Sequence, residues 1–286
     1  NLCWQKVNSH STSLDYVEKI LHNAKESSHI KSGLILFEGL KREINFDNIS
    51  FAYEKNSSKN FILKDLSFRI SSGSFIAIVG SSGAGKSTLV DLIPRLRDVT
   101  KGEIRLDGVA IKEFDLKSLR SRIGYLSQEP FLFNDTVFNN IVYGLDEKIG
   151  EEDVIEAAKK AYAHEFINEM PLKYKTDLGD RGLRLSRGQR QRIVLAKLIL
   201  HNPDIIILDE YTSSLDSESE RYIQAALTKI TENRTVIVIA HRLATIKKAD
   251  QILVLENGKI AEFGNFQTLI NKNNSFRKLF EEQLFF

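Results

Sequence analysis

The sequence predicts a mixed α/β fold: a mostly parallel sheet as core, an antiparallel β layer ahead of it at the N-terminal side, and a helical subdomain inserted within it. Three observations carry that prediction. A strand-length apolar run at residues 75–79 meets a glycine-rich turn and then a helical stretch. Further short apolar runs recur with helical segments between most of them, as parallel strands buried on both faces require. Upstream, residues 44–51 and 61–70 alternate apolar and polar positions, the signature of strands with one face in a core.

A chain of 286 residues allows one large domain with extras or two modest ones, and either can bury a core. Its 42% hydrophobic and 27% charged residues are ordinary globular composition, which excludes collagen-like, disordered and disulfide-scaffold classes. Forty Lys and Arg against 38 Asp and Glu leave a formal charge of +2, so no long-range field recruits nucleic acid or anionic lipid, and no nucleic-acid partner is expected. The single cysteine, Cys3, cannot form an internal disulfide, so a cytosolic environment is the default. No apolar run approaches the roughly 18 residues of a membrane span. Met170 is the one methionine, so sequence upstream of Asn1 is expected.

Taken in order, residues 1–42 read as a linker helix and strand lead-in. Leu14, Val17, Ile20 and Leu21 recur at helical spacing behind the capping-box pair Thr12 and Asp15, which predicts a short amphipathic helix ending near Ala24. A polar linker follows to Gly33. The main domain is expected over 43–286, opening on the antiparallel strands 44–51 and 61–70. Strand 75–79, the turn 80–85 and a helix from Lys86 to about Pro94 form one phosphate-binding βα unit. Buried strands are further expected at 123–127, 205–208, 236–240 and 252–255, with helix-rich sequence at 151–170 and a helix at 185–200; the helical subdomain spans about 129–200.

Two motifs carry chemistry. Gly80-Ser81-Ser82-Gly83-Ala84-Gly85-Lys86-Ser87, followed by Thr88, matches G-x-x-x-x-G-K-[ST] between a strand and a helix, where such a loop must lie to cradle phosphate oxygens with backbone amides. A merely glycine-rich turn would not need that flanking strand and helix. Lys86 is expected on the β- and γ-phosphates of a nucleotide and Ser87 on Mg²⁺. The apolar run 205–208 ends in Asp209 and Glu210, at the carboxyl end of a strand where open α/β sheets bind ligands. Asp209 suits the magnesium shell, and Glu210 suits the group that orients or deprotonates attacking water. The plainer alternative is that both carboxylates start a turn or cap the next helix.

With these motifs the chain resembles the ATP-binding cassette ATPases, and among them the nucleotide-binding domain of exporter-type transporters, over roughly residues 44–282. Leu185-Ser186-Arg187-Gly188-Gln189 looks like the family signature, Gln128 matches the Q-loop, Ser213-Ser214-Leu215-Asp216 the D-loop, and His241 the switch histidine. Tyr53 stands where the family places an aromatic residue against adenine. Singly these are weak; their order along the chain is the family's. The resemblance implies Glu210, His241, Lys86 and Gln128 as catalytic residues. It implies Tyr53, Gly80 to Thr88, Ser186, Gly188, Gln189 and Asp216 as ATP contacts, and Ser87, Gln128 and Asp209 as the Mg²⁺ shell. Two departures stand out: Arg187 where the signature has glycine, and Tyr211 after Glu210 in place of a small residue or proline.

The stretches 176–182 and 133–141 resemble the X-loop and the post-Q-loop segment of exporters, with Asp180 for the commoner glutamate. The resemblance implies two cassettes sandwiching two ATP molecules head to tail, a homodimer being favoured over a heterodimer because both half-sites are present. It further implies a transmembrane domain in the same polypeptide, and a location at the cytoplasmic face of a membrane, the inner membrane if the source is bacterial. A soluble cassette ATPase of translation or repair, an importer ATPase, and a nucleotide-switched regulatory module are the alternatives.

Overall fold

The computed structural model describes residues 30–53, 60–127, 129–145, 149–209, 216–240, 242–272 and 274–284. The helix expected over residues 14–21 lies outside them, as do Gln128, Glu210, Tyr211 and His241. Residues 32–286 form one compact unit.

Strands β1 (Glu43–Phe51) and β2 (Leu63–Ser71) pair antiparallel, with Phe46 opposite Phe68 and their rings stacked at 4.2 Å. β3 (Phe75–Val79) is the predicted buried run. β4 (Lys101–Leu106) and β5 (Val109–Ala110) complete a four-stranded antiparallel sheet in the order β2-β1-β4-β5. Only the first two strands of this layer are expected from the sequence. Asp107 and Gly108, with φ of 53° and 93°, turn the chain tightly between the other two, as an Asp-Gly hairpin does.

The second sheet has six strands in the order β10-β9-β3-β8-β7-β6, with β6 at Ile123–Leu126, β7 at Ile205–Asp209, β8 at Thr235–Ile239, β9 at Gln251–Glu256 and β10 at Lys259–Gly264. Five strands run parallel, and β10 returns antiparallel along the edge of β9. Alternation along these strands divides two cores. Ile76, Ile78, Ile205, Ile207, Ile237 and Ile239 face one core together with Phe46, Leu66 and Leu89. Ala77, Val79, Ile206, Leu208, Val236 and Val238 face the other, together with Val154, Ile193 and Ile223. Burial on both faces explains why these strands read as unbroken apolar runs.

Ten α-helices accompany the sheets among the described residues: α1 (Lys86–Asp91), α2 (Leu116–Ser121), α3 (Val137–Val142), α4 (Glu151–Lys160), α5 (His164–Asn168), α6 (Arg187–His201), α7 (Ser217–Thr231), α8 (Leu243–Lys247), α9 (Phe266–Ile270) and α10 (Ser275–Leu284). α4 opens on Glu151, Glu152 and Asp153 and closes on Lys159 and Lys160, charges that complement its dipole. α6 begins with a reciprocal cap and ends at Asn202 in the left-handed conformation. Among the described residues, no helix is long and apolar enough to cross a membrane.

Candidate nucleotide-binding site

β3 delivers the chain to Gly80, and the loop closes at Gly85, which precedes α1 with φ 100°. A Cβ at Gly80 would lie 2.2 Å from the Leu255 carbonyl oxygen of β9, and one at Gly85 would lie 2.8 Å from Leu63 Cδ2. Neither position admits a side chain. Ser81, Ser82 and Gly83 are exposed while Lys86 is buried, so the loop's outer arc faces solvent and its lysine lies inward. Lys86 Nζ donates to the carbonyls of Gly80 and Ser81, each at 2.9 Å. An ammonium stationed inside a concave, glycine-rich loop is the chemistry that grips a polyphosphate. Ser87 is exposed beside it, and Thr88, one residue further, shares a 3.0 Å hydrogen bond with the Tyr53 hydroxyl.

β7 ends at Asp209, whose neighbours on the same side of the strand, Ile205 and Ile207, face the core that holds Leu89 and Val90 of α1. The carboxylate is therefore on the phosphate-loop side of the sheet. Tyr125 of β6 brings its hydroxyl to 3.4 Å from Asp209 Oδ2 and 3.2 Å from Asp91 Oδ1. Burial, then the Asp209 and Asp91 carboxylates, push the Tyr125 phenol well above its ordinary range, so it stays a protonated donor. Burial likewise raises Asp91, against the Tyr125 hydrogen bond and the charge of Arg97. Neither Tyr125 nor Asp91 stands in a motif that the sequence displays.

The signature residues open α6. Ser186 Oγ accepts from the Gln189 amide at 3.1 Å, and Gln189 Oε1 accepts from the Ser186 amide at 2.9 Å. Gly188 is buried against α7: a Cβ there would sit 2.2 Å from Ser219 Oγ. Asp216 caps α7 by accepting from the Ser219 amide at 2.8 Å, and that bond, with the Ser219 hydroxyl, holds its carboxyl below the usual range. The structure thus brings Gly188 and Asp216 together through Ser219. Arg192, one turn along α6, stacks over Phe166 at 4.7 Å and donates to the Tyr162 carbonyl at 2.7 Å. Arg242, next after His241 in sequence, pairs with Glu220 of α7.

Tyr53 is half exposed, edge-on to Phe51 at 5.1 Å, with the Arg97 guanidinium 4.6 Å over its ring. Its hydroxyl bond to Thr88 ties it to the phosphate loop, which strand packing alone would not require. The exporter-like stretches 133–141 and 176–182 lie side by side: Thr136 bridges Asp177, Val137 N–H donates to the Thr176 carbonyl at 3.0 Å, and Leu178 N–H to that of Asp135 at 3.1 Å. A groove of about 1090 Å³ opens beside them, walled by Leu36, Phe131, Phe133, Tyr143 and Lys197, and reaches Tyr125. Leu36 and Phe131 are 70% and 60% exposed.

Fold and loop together define a phosphate-loop nucleotide-binding protein. The model of the ABC transporter family matches residues 63–213, more than half of the chain. The chain is 49% identical over 238 residues to the ATP-dependent lipid A-core flippase of Methylobacillus flagellatus, covering 83% of this chain and 40% of that protein. It is 46% identical over 255 residues to the heterocyst differentiation ATP-binding protein HepA of Nostoc, covering 89% and 41%. Among solved structures, a bacterial Atm1-family ABC exporter with ATP bound superposes with a TM-score of 0.79 at 38% identity, covering 88% of this chain and 43% of that one. The chain belongs to the ABC transporter family, as an ATP-hydrolysing nucleotide-binding domain of it. It spans about 40% of the length of the curated relatives it matches.

Proposed function

We propose that this chain drives export across a membrane by closing and reopening with a second copy of itself around two ATP molecules. The observation that carries the reading is the lysine-bearing loop between β3 and α1 with the carboxylate of β7 on the same side of the sheet. Residues 43–286 form the ATPase domain, with a helical subdomain over about 129–200. Tyr53 stacks on adenine, the loop from Gly80 to Thr88 takes the phosphates, and Lys86 neutralises the β and γ groups.

A hydroxyl and a carboxylate are hard oxygen donors, the set Mg²⁺ accepts with few protein ligands, so Ser87 and Asp209, with Gln128, fit that ion. When bound, it neutralises charge spreading over the phosphate oxygens. Glu210 polarises the attacking water and His241 contacts the γ-phosphate. Ser186 and Gly188 close the site from the second subunit. The cap uses the Ser186 oxygen as acceptor, which leaves its O–H as the donor a phosphate oxygen needs.

The groove with Leu36, Phe131, Phe133 and Tyr143 supports a transmembrane domain in the same polypeptide, whose cytoplasmic end docks there. The solved relative is named an ABC exporter, which supports export over import. The test is Glu210→Gln. The variant should bind ATP, lose nearly all turnover and accumulate as a dimer in light scattering; near-normal phosphate release would remove Glu210 from the reaction.

A further inference from the structure

Asp91 has no place in the phosphate motif, yet it is a half-buried carboxylate brought close to a second one. Tyr125 lies between them. On β6 it stands opposite Ile207 in parallel register, so its ring is on the face of the sheet that carries α1, as is Asp209, two residues beyond Ile207. One hydroxyl therefore reaches a side chain of α1 at 3.2 Å and the terminal carboxylate of β7 at 3.4 Å. A phenol has a single proton to donate, so it serves one carboxylate at a time. The shorter contact is to Asp91, the residue with no nucleotide role of its own.

We propose that Tyr125 is a positioning residue for Asp209, handing one hydrogen bond between Asp209 and Asp91 as the Asp209 oxygens are taken up by, or released from, a divalent cation. No proton changes owner; the O–H bond only swings. While its proton lies toward Asp209, Tyr125 fixes that carboxylate's orientation. Asp91 gives the hydroxyl an alternative acceptor, so that Asp209 can turn its lone pairs to the cation without stranding a buried donor. The inference rests on the reading of Asp209 as a magnesium carboxylate.

The experiment titrates ADP into the whole chain by calorimetry, first in EDTA and then in saturating Mg²⁺, and separately titrates Mg²⁺ into the ADP complex. Tyr125→Phe should leave ADP affinity in EDTA within about twofold of wild type and weaken Mg²⁺ binding about tenfold, the low end of the cost of losing an outer hydrogen-bond partner. Asp91→Ala should also weaken Mg²⁺ binding, since the hydroxyl then stays on Asp209. Asp91→Asn keeps an acceptor oxygen and should restore the wild-type value. Mg²⁺ binding by Tyr125→Phe that equals wild type overturns the proposal. So does an equal loss with and without Mg²⁺, which marks a merely structural role, or an Asp91→Asn variant as impaired as Asp91→Ala. A wild-type chain that ignores Mg²⁺ would instead overturn the reading of the nucleotide site itself.

Discussion

Gly188→Ala sets two known effects against each other. Alanine in place of glycine within a helix gains up to about 1 kcal/mol of backbone propensity. Here the new methyl would lie 2.2 Å from Ser219 Oγ and 2.6 Å from Ser219 Cβ, far inside the roughly 3.5–4.0 Å of an ordinary contact. Ser219 cannot step aside, because it is buried and its amide is held by Asp216. Overpacking of this kind costs about 1–3 kcal/mol, so the clash wins and a net loss of about 1–2 kcal/mol is expected. Ser219→Gly removes both clashing atoms and alone should cost about 0.5 kcal/mol through its lower helix propensity. The double variant should therefore recover the whole clash cost, about 1–3 kcal/mol, relative to the sum of the single losses. Urea unfolding of the four proteins supplies the cycle, with phosphate release measured alongside. Additivity within about 0.5 kcal/mol, or a Gly188→Ala protein as stable as wild type, would refute the α6–α7 contact as the reason glycine stands there.

Lys86→Ala should abolish the stabilisation that nucleotide confers, about 2.7 kcal/mol at 100 times the dissociation constant, and a thermal shift as large as wild type would contradict its place on the phosphates. Phe46→Ala, which removes a fully buried ring stacked on Phe68, should cost about 3–5 kcal/mol in denaturant unfolding. His201 donates Nε2–H to the Tyr143 carbonyl; burial holds it below its ordinary range, with Lys197 acting in the same direction and that carbonyl opposing. The unfolded chain then takes up the proton first, so the contribution of neutral His201 is complete above about pH 6.5 and is lost as pH falls from there toward the folded value. His201→Gln should flatten the drop in melting temperature between about pH 7 and about pH 5.5, and an unchanged slope would assign the acid sensitivity elsewhere.

What the sequence made legible was local. The phosphate loop is eight consecutive residues whose conformation needs glycine at set positions, and β3 runs over the predicted residues. β6, β7, β8 and β9 fall within one or two residues of expectation because two buried faces leave an unmistakable apolar run. Strands that exist through pairing were harder to see. β5 has two residues, and β10 follows the dipeptide Asn257-Gly258, the available signal, whose φ values of 48° and 77° make the turn. Long-range meetings were not legible at all. Tyr125 lies 34 residues from Asp91 and 84 from Asp209, and they meet only because β6 and β7 are neighbours with α1 on their shared face. The contact of Gly188 with Ser219, and the groove assembled from Leu36, Phe131, Tyr143 and Lys197, depend in the same way on how distant elements pack.

The sheet's two-sided burial has a consequence for motion on the timescale of deuterium uptake. β7 and β8 have parallel neighbours on both edges and apolar cores on both faces, so their amide hydrogens should trade with solvent only when the whole unit opens, while those of β5 trade early. Asp209 thus hangs from the slowest-breathing part of the molecule, and local fluctuation of the surface cannot carry that carboxylate away from its post.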